Sequence, residues 1–333
     1  MTSLLNALPG AISQGLIWGI MAIGLYITYK LLDVADLTVD GSFCTGGAVC
    51  VMLVVSGCDL WIAMLAAFAA GMIAGLVTGI FHTKFGIPAI LSGILTQLGL
   101  WSVNLAIMDM KANQALNVAK YNLVISLRYV SECNKGISEA FQKLTGGAFS
   151  GKVLLQLLGY LGKHPIFVGG LFTLVIILAL YWFFGTERGA AIRATGANRN
   201  MAKAQGINTD VQTVLGLMLS NGLVALSGSL LAQYQSFADI NMGRGAIVIG
   251  LAAIIIGQVA FGKLFRNFAL KLLAVSLGAV IYYVVLQSVI SLMKINSNYL
   301  KLISALIVAV FLAIPNWRKK IPVRHKEAAN AQS

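Results

Sequence analysis

The sequence predicts an all-α membrane protein that crosses the bilayer many times, and its composition, its apolar runs and its charge placement all favour this fold class. Of its 333 residues, 58% are hydrophobic and only 11% are charged, and the mean hydropathy is +0.84. Soluble domains usually carry about 25% charged residues. Because so few charges cannot cover a water-facing surface, a soluble domain and a disordered chain are both excluded.

Apolar runs of spanning length recur along the chain, since a transmembrane helix needs roughly 20 mostly apolar residues. We count about nine such runs, and eight to ten helices are compatible with the pattern. Each run is bounded by charges, Pro or Asn/Gly clusters, and the runs are 8–30, 36–56, 60–82, 87–108, 164–184, 209–232, 245–262, 267–292 and 300–316. The run at 245–262 is short, so we expect it to be tilted or to cross only partly. The glycines at G-x-x-x-G spacing, Gly71/Gly75/Gly79 and Gly15/Gly19, predict close helix packing.

Basic residues set the orientation. With 185–208 placed in the cytoplasm, alternation leaves three Lys or Arg in short outer loops (Arg244, Lys294 and Lys301) and places 14 of the 24 inside. The inner ones are Lys30, Lys84, Arg188, Arg193, Arg199, Lys203, Lys263, Arg266, Lys271, Arg318, Lys319, Lys320, Arg324 and Lys326. The positive-inside rule therefore predicts an outer N-terminus and a cytoplasmic C-terminus. The net charge of +13 then reflects this bias and does not indicate nucleic acid as a partner.

Three segments lie outside the predicted spans. Within a membrane domain at 1–317, an extracellular segment at 109–163 forms either a docking surface or a structural cap, and 185–208 forms a cytoplasmic loop. Residues 318–333 form a cytoplasmic basic tail, which anionic lipid attracts.

The loop at 185–208 contains the most informative pattern. Asn198 is a good N-cap for a short helix over 199–205, and Gly206 is a good stop. Such a helix, with Ala202 and Lys203 on its surface, could insert into a groove on a cytoplasmic partner. The alternative is an inert linker.

A family resemblance starts in this loop. Arg193, Thr195, Gly196, Asn198, Ala202, Gly206 and Ile207 form the pattern R-A-T-G-x-N-x-x-x-A-x-x-x-G-I-N over 193–208. The pattern resembles the coupling-helix signature of ABC importer permeases of the branched-chain amino-acid and ribose type. The resemblance continues through 32–43, Asn221-Gly222, 225–228, 244–245 and 256–257, and so covers most of the chain outside 109–163.

The resemblance implies the transmembrane subunit of an ABC importer in a bacterial inner membrane. In that family the loop residues dock onto cytoplasmic ABC ATPase subunits, which bind the ATP and Mg²⁺, so no cofactor is expected in this chain. The other implied partners are an extracellular or periplasmic solute-binding protein and a second permease copy, in a homodimer or a close heterodimer. Transport then follows alternating access around one path between the two copies.

Polar residues within the spans are the candidates for the translocation path: Asp36, Thr38, Asp40, Ser42, Gln97, Asn104, Asn221 and Gln258. Ionisable groups at membrane depth are costly and normally face a bundle interior or an aqueous cavity. Alternatively, Asp36 and Asp40 lie in cytoplasmic water or cap a helix N-terminus, and the amides join neighbouring helices. Gln97 and Asn104 lie two turns apart on one face of the fourth span.

Other classes fit less well. No GxSxG or HExxH pattern occurs and the three His are scattered, so no catalytic or metal-binding residue is predicted, and the subunit is expected not to be an enzyme. An ion-coupled secondary transporter should carry an acid in mid-span, whereas the acids here are expected at span ends or in loops. A disulfide between Cys58 and Cys133, both predicted outside, stays open.

The substrate is the least constrained property. The segment L-T-V-D-G-S-F at 37–43 resembles most the permease branch assigned to tryptophan/tyrosine-type uptake. This likeness implies an amino acid or a similar small organic solute, with sugars and nucleosides as alternatives.

Overall fold

A computed structural model describes residues 2–118, 120–121, 123–145, 159–262, 264–265, 267–293 and 302–311. Over these residues the chain is almost entirely helical, with two three-residue strands. The helices are α1 (Thr2–Tyr26, continued by one π-helical turn, Ile27–Leu31), α2 (Val39–Val55), α3 (Leu60–Thr83), α4 (Ala89–Ile107), α5 (Leu127–Thr145), α6 (Pro165–Gly185), α7 (Glu187–Ala197), α8 (Arg199–Ala204), α9 (Thr209–Gln235), α10 (Ala246–Phe261), α11 (Phe268–Met293) and α12 (Leu302–Phe311). The strands are β1 (Asn113–Ala115) and β2 (Phe237–Asp239).

Each of the nine predicted runs contains a helix. Within the described residues, six helices are long and apolar enough to cross a membrane, which confirms an all-α, multi-pass membrane protein. The other three, α2, α10 and α12, are short apolar helices. At about 1.5 Å per residue, the 17 residues of α2 and the 16 of α10 reach about 26 and 24 Å, less than the roughly 30 Å hydrocarbon core.

Helix α9 lies at the centre of the bundle and packs against α1, α2 and α3. Its contact with α3 follows the predicted glycine spacing, because a Cβ on Gly71 or Gly75 would overlap the α9 backbone at Asn221 or Leu217. Gly15 and Gly19 of α1 meet α11 in the same manner. Small residues thus let these backbones approach closely, as the sequence predicted.

Helix α2 begins later than predicted, at Val39 rather than near residue 36. Residues 33–37 are not helical, and Asp33 has a left-handed φ of 55°. The rest of α2 packs tightly on α9, since Cβ atoms on Gly46 and Gly228 would overlap the carbonyl oxygens of Ala225 and Phe43. Within the non-helical link Asp33 and Ala35 are exposed, whereas Asp36 is buried beside the middle of α9.

The segment after α4 covers the predicted outer ends of the helices. Strand β1 pairs antiparallel with β2, the strand that follows α9. The Tyr121 hydroxyl donates to the Val55 carbonyl at 3.3 Å, and the Val124 N–H donates to Gln233 Oε1 at 3.2 Å. These contacts favour the structural-cap interpretation of 109–163. The basic tail at 318–333 lies outside the described residues, so the domain boundaries stay predictions.

The disulfide left open by the sequence does not form. Cys58 and Cys133 are both free, Cys58 is exposed and Cys133 is buried in α5. Burial raises the pKa of the Cys133 thiol.

Candidate functional site

Four of the predicted path residues form one buried hydrogen-bonded cluster. Asp36 Oδ1 accepts the Thr38 N–H at 2.9 Å, and Asp36 Oδ2 accepts from Asn221 Nδ2 at 2.7 Å. The Ser42 hydroxyl donates to Asn221 Oδ1 at 2.6 Å. Asn221 also donates to the Leu217 carbonyl at 3.0 Å, so both ends of its amide are used. We call these residues, with the two threonines described next, the polar cluster.

Two threonines missed by the sequence analysis extend this cluster to α3 and α4, so that it joins four helices. Thr78 Oγ1 of α3 lies 2.7 Å from Thr38 Oγ1 and donates to Thr96 Oγ1 of α4 at 2.9 Å. All six side chains of the polar cluster are buried. A single threonine in an apolar helix carries no signal of such pairing, so only the structure could find it.

The depth of Asp36 corrects one expectation. Asn221 lies 12 residues after the start of α9 and 14 before its end, or about 18 and 21 Å from the two ends. The Asp36 carboxylate, 1% exposed and bonded to Asn221, therefore lies at mid-height of the bundle and not in cytoplasmic water. Asp36 does lie in a non-helical link at the start of a span, as predicted, but the alternative that places it in cytoplasmic water is wrong, because the link carries it inward.

Asp40 caps a helix, but not its own. Its two carboxylate oxygens accept the backbone N–H groups of Gly245 at 3.0 Å and Ile247 at 3.1 Å, at the N-terminus of α10. A carboxylate is favourable there because it meets unpaired N–H groups and the positive end of the helix dipole. The contact joins the first turns of the two short helices α2 and α10.

Beside this contact a half-open recess of about 210 Å³ opens between α2, α4 and the start of α10. It lies near mid-height, since Gln97 is eight residues from the start of α4 and ten from its end, or about 12 and 15 Å. Three predicted path residues meet here, while Arg244, Trp101 and Cys44 were missed. The recess is lined by Asp40, Gly41, Cys44, Gln97, Leu98, Trp101, Asn104, Ile240 and Arg244.

Polar groups in the recess lack partners. Asn104 is 2% exposed, and its Oδ1 accepts no hydrogen bond from the described residues. Its Nδ2 makes one long donation, 3.4 Å to the Gly41 carbonyl. Within the described part of the chain, the Gln97 amide has no hydrogen-bond partner and the Arg244 guanidinium pairs with no acid. Sequence reasoning placed Arg244 in a short loop between spans; it does lie in the turn that precedes α10, where it is exposed and lines the recess.

Gln258 does not join either group. It lies near the C-terminal end of α10, 12 residues or about 18 Å along the helix from Ala246, and its side chain is exposed.

The predicted short helix in the loop is present as α8. Asn198 caps it by accepting the Met201 N–H at 3.0 Å, and the helix ends before Gly206, whose φ is +80°. Arg199 pairs with Asp210 of α9 at 2.6 Å. The preceding helix α7 was not predicted; Thr186 caps its start, with Oγ1 accepting the Gly189 N–H at 3.4 Å.

The surface of α8 differs from the expected one in one residue. Ala202 is buried, so it packs inward rather than facing a partner. Of the other residues in the motif, Arg193, Asn198 and Gly206 are exposed, Thr195 is buried, and Gly196 and Ile207 are half-buried. Met201, 60% exposed, and Lys203 are on the outward face of the helix.

The loop is joined to the bundle through Gly196. A Cβ there would overlap the Leu31 carbonyl, so α7 lies directly on the turn that ends α1. Leu32 in turn packs on Gly216 of α9. A continuous chain of contacts thus leads from α8 through α7 to the link that holds Asp36.

Comparison with known proteins agrees with this arrangement. Residues 8–314 match the family described as branched-chain amino acid transport system / permease component. The chain is 36% identical over 312 residues to the tyrosine transport system permease protein of Clostridioides difficile, covering 94% of this chain and 92% of that protein. It is 23% identical to the ribose import permease protein of Escherichia coli, covering 94% and 86%. It is 26% identical to the autoinducer 2 import system permease protein of Salmonella typhimurium, covering 62% and 49%.

No solved structure matches the chain. The family match covers most of the sequence, and the chain belongs to the branched-chain amino-acid and ribose type of ABC importer permeases.

Proposed function

We propose that this family member is the membrane subunit of an importer that carries an amino acid, with aromatic amino acids favoured, into a bacterial cell. The single observation that supports coupling to an ATPase is α8, a capped helix between two long helices with an exposed face. Arg193, Asn198 and Met201 would contact the ATPase, whereas Thr195, Gly196 and Ala202 would hold the helix in place. ATP and Mg²⁺ would bind to the ATPase and not to this chain.

The recess supports a dimer around one path. A half-open cavity with an arginine and two amides near mid-height cannot face lipid without a large cost. We infer that a second copy, or a close relative, faces the recess and encloses a water-filled path. Asp40, Gln97 and Asn104 would line the path, whereas Asp36, Thr38, Ser42 and Asn221 would support it from behind.

Alternating access would use the contacts described above. Closure of the ATPase pair would push α8 and, through α7 and Leu31, the link at 32–38. Because Asp40 joins α2 to α10, the push would move both short helices and change the shape of the recess. The orientation that this requires has an outer N-terminus, a cytoplasmic C-terminus and nine spans in the inner membrane.

An extracellular or periplasmic solute-binding protein would deliver the substrate to the outer face. The amphipathic helix α5 lies on that side in the proposed orientation, with Arg128 and Glu132 exposed on it. The cap then has both a structural role and a surface that a delivery protein can meet.

Two alternatives deserve separate tests. A sugar or nucleoside substrate is the second candidate, favoured by the likeness to a ribose permease. Buried Asp36 removes the acid-placement argument against an ion-coupled transporter, so the case against that class now rests on the family. ATP-dependent uptake decides between these driving forces.

The coupling assignment is tested with the assembled importer in proteoliposomes. Met201→Asp puts a charge on the outward face of α8 and should lower ATP-driven uptake at least fivefold while leaving ATP hydrolysis in place. Leu264→Asp is the matched control, an exposed apolar residue (74%, against 60% for Met201) in the short segment between α10 and α11. Equal uptake by the two variants would refute the assignment, and uptake without the ATPase would refute the importer class.

A further inference from the structure

We propose that the recess binds a carboxylate-bearing aromatic solute, with Arg244 binding the carboxylate and Trp101 contacting the ring. The inference rests on the proposed import function and names the chemistry that its path recognises. None of these roles was predicted from the sequence, which counted Arg244 among loop charges.

The unpaired guanidinium in the recess favours an anion. Asp40 lines the recess with both oxygens occupied by N–H groups at the start of α10, and nearby Asp239, whose carbonyl accepts from Cys44 Sγ, has its Oδ1 bonded to the Asn241 N–H. The positive end of that helix dipole offsets the Asp40 charge. Arg244 directly precedes this helix and has no acidic partner among the described residues. A carboxylate matches the planar fork of a guanidinium and would supply that partner.

Trp101, Gln97 and Asn104 select the shape and the polarity of the solute. Trp101 is 47% exposed and lines the same recess, so its ring surface is available for stacking against an aromatic ring. Gln97 and the buried, unpartnered Oδ1 of Asn104 can exchange hydrogen bonds with a polar substituent or an ammonium. A cavity of about 210 Å³ has room for a small solute. A sugar lacks the carboxylate that Arg244 requires.

The first test follows uptake by the complete importer. Arg244→Gln should lower kcat/KM for L-tyrosine about tenfold or more, the usual size of a lost charge-assisted bond. Arg244→Lys should recover part of the loss. Lys111→Gln, a neighbouring exposed basic residue, is the control and should leave uptake unchanged.

The second test removes the contribution of the solute-binding protein, which can impose its own selectivity. Gln97→Cys in a Cys58→Ser background adds a half-buried thiol to the recess of the permease–ATPase complex, where native Cys44 is only 2% exposed. An anionic methanethiosulfonate should then react several-fold faster than a cationic one, and L-tyrosine should slow the reaction whereas tyramine, which lacks the carboxylate, should not. Adding Arg244→Gln should abolish both differences, and native Cys58, exposed on the outer turn, should show neither.

The outcomes separate this inference from the proposed function. ATP-driven uptake that is insensitive to Arg244→Gln, equal protection by tyrosine and tyramine, or protection by ribose would overturn the inference and leave the importer intact. Absence of ATP-driven uptake of any solute would instead overturn the function.

Discussion

The polar cluster and the recess both include residues of α2, but they differ in the hydrogen bonding of their polar side chains. In the polar cluster, Asp36, Ser42 and Asn221 bond one another and are buried from solvent. In the recess, Arg244 and Gln97 have no side-chain partner among the described residues, and Asn104 lacks one for its oxygen. Both regions contain residues that the sequence marks as unusual for a membrane span.

This difference in hydrogen bonding distinguishes residues that stabilise the fold from residues that contact the solute. A buried polar group with all its partners adds little free energy but becomes costly when one partner is removed. Asn104 is buried with its oxygen unpartnered, so a ligand or water must complete it, whereas Gln97 is half-buried and Arg244 is exposed to the recess. We therefore assign stability to the polar cluster and solute contact to the recess, and the following substitutions test this division.

The largest expected effect comes from Asn221→Leu. The substitution leaves Asp36 Oδ2 without its partner, at about 1–3 kcal/mol and more because a charge is involved, whereas the Ser42 hydroxyl keeps its bond to the Thr38 carbonyl at 3.2 Å. Against a total stability of about 5–15 kcal/mol, we expect little folded protein. The yield of detergent-solubilised protein and the thermal midpoint of unfolding measure this loss of folded protein. Values equal to those of the native protein would contradict a structural role for the polar cluster.

The same change in the recess, Asn104→Leu, should act on function instead. It removes a buried oxygen that has no partner and one long hydrogen bond, so the thermal midpoint should stay constant or rise. Uptake kcat/KM should fall about tenfold, as for one lost polar contact with the solute. If Asn104→Leu unfolds as Asn221→Leu does, the recess is structural and the division between the regions is wrong.

A smaller effect tests the connection between the two helix starts. A Cβ on Gly243 would overlap the Asp40 carbonyl, so Gly243→Ala should push the α10 start away from α2 at a cost of about 1–3 kcal/mol. We expect uptake to fall a few-fold with a modest loss of thermal stability. Gly99→Ala on α4, where an added Cβ meets no atom within 4 Å, is the control and should behave as the native protein does.

The smallest effect is expected at the edge of the polar cluster. Thr96→Val keeps the side-chain shape and removes the acceptor of the Thr78 bond, a loss of about 1 kcal/mol. The thermal midpoint should fall by about 2–4 °C at most, with uptake unchanged. A loss of uptake without a change in midpoint would move Thr96 from the residues that stabilise the fold to those that contact the solute.

The sequence predicts the local features of this molecule well. Apolar runs located the helices, glycine spacing marked the face of α3 that packs closely on a neighbour without naming that neighbour, and Asn198 and Gly206 bounded α8, because each signal is carried by neighbouring residues. The recess was only half predicted. Arg244 reaches the recess through the turn at 240–245, and Trp101 reaches it from α4. The recess forms because these distant segments meet beside α2, and no local sequence pattern encodes that meeting. The same convergence moved Asp36 from an expected helix end to the bundle interior.

The Asp36–Asn221 and Asp40–Gly245 bonds also set the order in which the membrane domain can be assembled. The bonded residues are 185 and 205 positions apart in the chain. At about 5–20 residues per second, ribosomes need about 10–40 s to supply the second partner after the first. During that interval Asp36 lacks the Asn221 amide and Asp40 lacks the Gly245 N–H, and a carboxylate without its hydrogen-bond donor is costly to bury in hydrocarbon. We therefore expect α2 to leave the translocon incompletely buried and to reach its final depth only after α9 and α10 have been inserted, so that a chain truncated before α9 should keep Asp36 accessible to water.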